Sequence, residues 1–146
     1  MLIVIAQKEE LKLVEELGYS DFPILITGVG GANVINALKD IPKETRIINI
    51  GYAGSNTLEV GTQVEIGWSF TYHPSVKFKE RNFRKLNSSS KIYCYTSTDF
   101  VTKTDILEPC VFDMELAFIT AMFKNVRSIK VVSDNLNKKD YDDYVS

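Results

Sequence analysis

Several kinds of residue are scarce in this chain. Its 146 residues include one histidine, one tryptophan, two cysteines and four prolines. Cys94 and Cys110 cannot build a disulfide framework and lack the spacing of a metal site. They read as small core residues of a reducing cytoplasm, and neither a metal nor a cofactor is expected. No apolar run approaches the roughly 20 residues that a spanning helix needs. The apolar start Leu2-Ile3-Val4-Ile5 is only strand length and follows no basic segment, so neither a leader nor a membrane anchor is expected. The formal charge of −2 is too small to point to nucleic acid or a membrane surface. The length suits one domain spanning residues 1–146, enough to bury roughly 70% of the surface that the unfolded chain exposes.

What is present alternates between strand and helix patterns. Leu2–Ile5 reads as a strand, and Lys8–Leu17 as a helix with Leu11, Leu13, Val14 and Leu17 near one face and Gly18 as its stop. Phe22–Thr27 is a second predicted strand, running into Gly28-Val-Gly-Gly, with helical spacing from Asn33 to Leu38. Strands are expected at Arg46–Ile50 and Val60–Trp68, then a long polar excursion over 72–90, then strands at Lys91–Thr96 and Ser128–Val132. An amphipathic helix is expected over Phe112–Phe123. Alternation of this kind predicts an α/β fold, with a mixed or parallel sheet and helices on both faces.

Four segments carry candidate chemistry. Asn49-Ile-Gly-Tyr-Ala-Gly-Ser55 reads as a glycine turn between two strand-like runs. Gly28-Val-Gly-Gly-Ala-Asn33, between a strand and a helix, suits either anion binding at a helix N-terminus or a tight turn. It is no dinucleotide fingerprint, because Asn33 stands at the sixth position. Glu115 sits in the apolar stretch Val111-Phe-Asp-Met-Glu-Leu-Ala-Phe-Ile, where a carboxylate is costly without partners. A sugar with two adjacent hydroxyls supplies such partners; the alternative is a surface glutamate. Asp113 competes for that role or serves as a helix-start acid. Asp134 follows the apolar run from Ile129, at the carboxyl end of a strand, where α/β sheets gather their ligands. Either it caps a helix, or burial raises its pKa and makes it a general acid.

The order of these segments resembles the nucleoside phosphorylase superfamily, nearest its methylthioadenosine/S-adenosylhomocysteine nucleosidase branch. The matching pieces are Ala6-Gln-Lys-Glu-Glu10, Thr27-Gly-Val-Gly-Gly-Ala-Asn33, Ile48-Asn-Ile-Gly-Tyr-Ala-Gly54 and Leu58-Glu-Val-Gly-Thr-Gln-Val64. Ser97-Thr-Asp-Phe-Val101, Phe112-Asp-Met-Glu115 and Val131-Val-Ser-Asp134 follow in the same order. The resemblance implies a three-layer α/β/α fold around a central twisted mixed sheet, and cleavage of a purine nucleoside's N-glycosidic bond. Asp134, preceded by Ser133, takes the part of the acid that protonates the departing base, and Glu10 the group that positions the attacking water. Glu115 and the Met114 amide hold the ribose hydroxyls; Phe100 stacks on the base and the Val101 backbone reads its edge.

The phosphate-binding motif of the hexameric phosphorylases is missing, and Asn49 and Tyr52 stand where their arginine and serine would be. Hydrolysis is therefore expected, with a 5′-thioadenosine or related substrate. A phosphorylase, a futalosine hydrolase-like enzyme and a binding member without turnover are the alternatives. Tyr52 replaces a small hydroxyl residue and implies either a narrower site or one that accepts another substituent. The chain ends where the family's long C-terminal helix begins, which implies an apolar face covered by a partner, as a homodimer or higher homo-oligomer. His73 reads as a solvated loop residue. The basic patch of Lys77, Lys79, Arg81, Arg84 and Lys85 is too short to suggest nucleic acid.

Overall fold

The computed structural model describes residues 1–73 and 83–146. The strands are β1 (Leu2–Ile5), β2 (Ile24–Ile26), β3 (Ile47–Ser55), β4 (Gln63–Glu65), β5 (Trp68–Thr71), β6 (Phe83–Lys85), β7 (Tyr93–Thr96), β8 (Cys110–Asp113) and β9 (Val126–Asp134). The helices are α1 (Leu11–Glu16), entered through a 3₁₀ turn at Lys8–Glu10, then α2 (Gly31–Leu38), α3 (Leu116–Met122) and α4 (Lys138–Val145). All nine strands form one mixed sheet.

β3 organises the sheet, and it forks. Along one edge it runs parallel to β9 from Ile47 to Gly54. Along the other it pairs with β1 only as far as Asn49, in parallel, and with β8 only from Gly54, antiparallel. Between those partners the edge is open, and backbone groups exposed there need side-chain partners. From the fork the sheet continues through β8, β7 and β5 to β6.

Side-chain alternation along the strands builds two cores. Val4, Ile47, Ala53 and Val132 face Val34 and Leu38 of α2 and Leu116 and Ile119 of α3. Ile3, Ile5, Ile48, Ile50 and Val131 face Leu13 and Val14 of α1 and Val145 of α4. The result is the three-layer α/β/α arrangement expected from the alternation of elements. A third cluster, Phe70, Tyr72, Tyr95 and Phe112, is covered by Val101, Ile106 and Leu136. Cys94 and Cys110 are both buried free thiols.

Several boundaries differ from expectation. Asn49–Ser55 is not a turn: β3 continues through it, fully buried, because β9 pairs with it throughout. The helix expected from Phe112 begins only at Leu116. Cys110–Asp113 pairs with β7 and β3 as a strand, and Asp113 accepts the Leu116 amide at the helix start. The strand expected over Val60–Trp68 breaks at Ile66-Gly67, so that β4 pairs with β9 and β5 with β7. Part of the expected excursion pairs as β6 with β5. Residues 74–82, which include Lys77, Lys79 and Arg81, lie outside the described residues. Arg84 donates to the Thr120 and Phe123 carbonyls at the end of α3, and His73 is exposed.

Candidate active site

The fork in β3 opens into a cleft of about 410 Å³. Glu10, Tyr52, Phe100, Met114, Glu115, Ser133 and Asp134 line it. A small recess at one end adds Val101 and Leu136 and shares Phe100, Met114 and Asp134 with the main space. Every site residue expected from the sequence thus lies on one continuous cavity.

Glu10 closes the gap in the sheet. The 3₁₀ turn after β1 brings its carboxylate back, where Oε1 accepts the Ala6 and Gln7 amides at 2.8 and 3.2 Å. Oε2 accepts the Tyr52 amide at 2.8 Å, within the stretch of β3 that has no strand on that side. A Cβ on Gly51 would stand 2.5 Å from Glu10 Oε2 and 3.5 Å from Lys130 Nζ, so glycine leaves the space that this charge cluster occupies. Gly54 does the same for Asp134, whose Oδ2 would lie 2.8 Å from its Cβ. Burial pushes the Glu10 carboxyl above its ordinary range, against Lys130 and its three amide donors.

Lys130 is the residue that the sequence reading missed. It is 1% exposed in the middle of β9, and its ammonium lies 3.1 Å from Asp113 Oδ2. Burial works against that charge, but Asp113 foremost among the surrounding groups more than offsets it and holds the lysine above its ordinary range. Asp113 also accepts the Thr96 hydroxyl at 2.5 Å and the Leu116 amide at 2.8 Å. The signal was there: a lysine inside the run Ile129-Lys-Val-Val132 has to find anions.

Glu115 stands just before α3, 9% exposed, and its Oε2 accepts the Gly30 amide at 2.8 Å. Gly28 and Gly30 both have φ of +91°, a left-handed backbone that suits glycine, and Gly30 is the N-cap of α2. The anion held by this glycine loop is therefore the chain's own glutamate. Burial first, then Asp113, push the Glu115 carboxyl up to about 7. The surface position weighed for Glu115 is excluded.

Asp134 ends β9 and is 1% exposed. Its Oδ1 accepts the Ser133 hydroxyl at 2.7 Å, and its Oδ2 accepts the Leu136 amide at 2.9 Å. The N-cap of α4 is Asn137, which accepts the Lys139 and Asp140 amides. Leu136 has φ of +64°, a strained setting worth about 1–3 kcal/mol for a non-glycine residue. Asn135 anchors the bend by donating to the Ser55 and Leu58 carbonyls. Burial raises the Asp134 pKa, with the Ser133 hydroxyl and two following amides opposing it.

Tyr52 does less to narrow the cleft than its size implies. Its ring packs in the cluster with Ile50 and Val131 and meets Tyr144 edge-on at 6.0 Å. The roof comes from α4: Tyr141 meets the Phe100 ring edge-on at 5.7 Å and accepts a hydrogen bond from the Gln7 side chain. Lys138 Nζ lies 4.8 Å from the Tyr141 ring centroid.

Fold and cleft together place the chain among α/β proteins of the nucleoside phosphorylase-like architecture. The particular solved structures it resembles are nucleoside hydrolases. Native futalosine hydrolase of Helicobacter pylori superposes with a TM-score of 0.76 over 99% of this chain and 89% of that one, at 13% identity. A mutant methylthioadenosine/S-adenosylhomocysteine nucleosidase of Helicobacter pylori, with 5′-methylthioadenosine in its active site, gives 0.76 over 99% and 90%, at 13% identity. The Chlamydia trachomatis nucleosidase gives 0.77 over 99% and 88%, at 16% identity. No protein-family model matches the chain, and no curated protein matches it by sequence. Likeness at these identities carries the fold.

Proposed function

We propose that the protein cleaves the N-glycosidic bond of a purine nucleoside by hydrolysis. The observation that carries this reading is the convergence of three buried carboxylates, Glu10, Glu115 and Asp134, on one cleft from separate elements of the fold. Cleavage through a ribosyl cation develops positive charge on the sugar and negative charge on the departing base. Asp134, whose carboxyl burial pushes above its ordinary range, gives its proton to the base. Glu115 and the Met114 amide hold the ribose hydroxyls and steady the cation, and Glu10 orients the water. Phe100 and Val101 meet the base beside Asp134, where the cleft borders the recess. The likeness to solved nucleosidases supports the same chemistry.

Water rather than phosphate as nucleophile is supported by charge. Lys138 is the one cation among the described residues that line the cleft, and it is paired with Asp142 at 2.5 Å. A phosphate dianion entering the cleft meets carboxylates where phosphate sites offer arginine. The glycine loop that could cradle it already holds Glu115.

Part of the same reading is a cytoplasmic enzyme that assembles as a homodimer or higher homo-oligomer. Two buried free thiols support the first point. Val29, on the cleft and 44% exposed, and Ile26, 45% exposed, support the second; sedimentation velocity reads it.

The activity test incubates the purified protein with methylthioadenosine, S-adenosylhomocysteine, adenosine, inosine and futalosine, with and without phosphate, and measures free base. Release without phosphate is the expected result. Release that strictly requires phosphate replaces hydrolysis by phosphorolysis, and release from none of them leaves a nucleoside-binding protein without turnover.

A further inference from the structure

The two ends of the cleft differ in chemistry. The end of the cleft beside the recess presents Phe100, Phe112 and Met114 next to Asp134, so a planar base finds its apolar surface there, with the recess itself, about 30 Å³, taking no more than the edge of the ring. The residues that line the main space but not the recess include Gln7, Glu10, Glu115, Lys138 and Tyr141. With the base beside Asp134 and the ribose diol on Glu115, the sugar's 5′ group is left for this second end. That placement rests on the nucleosidase reading above.

Two neutral hydrogen-bonding groups meet there. The Gln7 side-chain amide donates to the Tyr141 hydroxyl, bridging the loop after β1 to the roof helix α4. Tyr141 is held in place on its other side by Phe100. A tyrosine hydroxyl that accepts one bond keeps its own proton to donate, while the Gln7 carboxamide oxygen accepts the Glu10 amide in the capping box of the 3₁₀ turn. A ligand group at this end therefore finds the Tyr141 hydroxyl as a donor, held in place by Gln7. A thioether offers them little, because sulfur is a weak acceptor and no donor. An anionic 5′ group faces Glu10 at the same end, and the nearby Lys138 is already paired with Asp142.

We propose that Gln7 and Tyr141 form a selector for a neutral, hydrogen-bonding 5′ group, so that the enzyme prefers 5′-hydroxyl nucleosides to their 5′-alkylthio and 5′-phosphate counterparts. Sites built to hydrogen-bond a substrate hydroxyl discriminate strongly, because an analogue without it leaves polar groups unpaired.

The test compares kcat/KM for 5′-hydroxyl, 5′-methylthio and 5′-phosphate forms of adenosine and inosine, in the native protein and in Tyr141→Phe and Gln7→Leu. The native protein is expected to favour the hydroxyl form by about tenfold or more. Tyr141→Phe is expected to shift the hydroxyl-to-methylthio ratio about tenfold toward the thioether, and Gln7→Leu to shift it in the same direction. A purely structural role lowers both substrates together and leaves the ratio fixed, which overturns the selector. So does a native preference for the methylthio or phosphate form. Absence of base release from every substrate overturns the nucleosidase reading itself and the selector with it.

Discussion

Replacing Lys130 by methionine isolates the energetics beneath the site. The methionine keeps the length and apolar stem of the lysine but removes the ammonium 3.1 Å from Asp113. Asp113, 6% exposed, then remains buried with Glu10 and Glu115 nearby and no cation inside the cluster. Removing one partner of a buried ion pair typically costs about 3–5 kcal/mol, far more than a surface pair. For a chain of this size that corresponds to a drop in Tm of roughly 10–15 °C. The sign of the pH dependence follows from the charges left behind. Without Lys130 the Glu10 and Glu115 carboxyls, already raised by burial and held down in part by that lysine, titrate higher still in the folded state. The folded form then binds more protons, and the variant loses stability as pH rises. Its deficit is therefore largest near pH 8 and shrinks toward pH 5. Adding Asp113→Asn removes the stranded charge while retaining an acceptor for the Leu116 amide and turning an N–H toward the Thr96 hydroxyl, and is expected to restore at least half of the loss. Urea unfolding followed by circular dichroism at both pH values measures all three proteins. If Lys130→Met stays within about 1 kcal/mol of the native protein at pH 8, or Asp113→Asn restores nothing, the ion pair does not carry the load assigned to it.

Three further outcomes follow from the same geometry. Gly51→Ala drives a Cβ against Glu10 Oε2, which three amides pin in place. Losing the Tyr52 bond is expected to destabilise the protein by about 1–3 kcal/mol and to lower base release sharply; unchanged kcat in a steady-state assay would show that Glu10 is dispensable. Asp134→Asn is expected to reduce kcat by about 10²–10⁴-fold with little change in Tm, and native turnover in that variant removes Asp134 as the acid. Burial lifts Glu115 from 4.5 unfolded to about 7 folded. A raised carboxyl contributes fully below pH 4.5, and its contribution is lost as pH rises through 7. Glu115→Gln should therefore flatten the fall in stability between those values, as chemical denaturation at several pH values will reveal.

What could be read in the sequence was whatever rests on local pattern. Apolar periodicity placed β1, β2, β7, β9 and three of the four helices to within a few residues, but merged β4 with β5, stopped β3 short and missed β6 and β8; the strand-end position of Asp134 pointed to the cleft. Local pattern misled where distant groups decide. Gly51 and Gly54 look like turn residues, yet they are strand residues whose missing side chains make room for Glu10 and Asp134. Those carboxylates arrive from positions 41 residues earlier and 80 later, and no window along the chain shows that. Phe112–Phe123 carries one continuous amphipathic pattern, so the change from strand to helix depends on Asp113, which ends one and anchors the other. Gln7 and Tyr141 meet only because α4 folds back across the sheet.

The forked strand also divides the protein into parts of unequal local stability. β3 is buried along all nine of its residues and paired with β9 from Ile47 to Gly54, which puts it in the part that opens least. The roof is different: α4 is short, mostly exposed, and joined to the loop after β1 through Gln7. Local opening belongs to such elements. Glu10 and Asp134 are thus tied to the part of the protein that opens least, while Tyr141 rides on the part that opens first, a difference that hydrogen exchange reads.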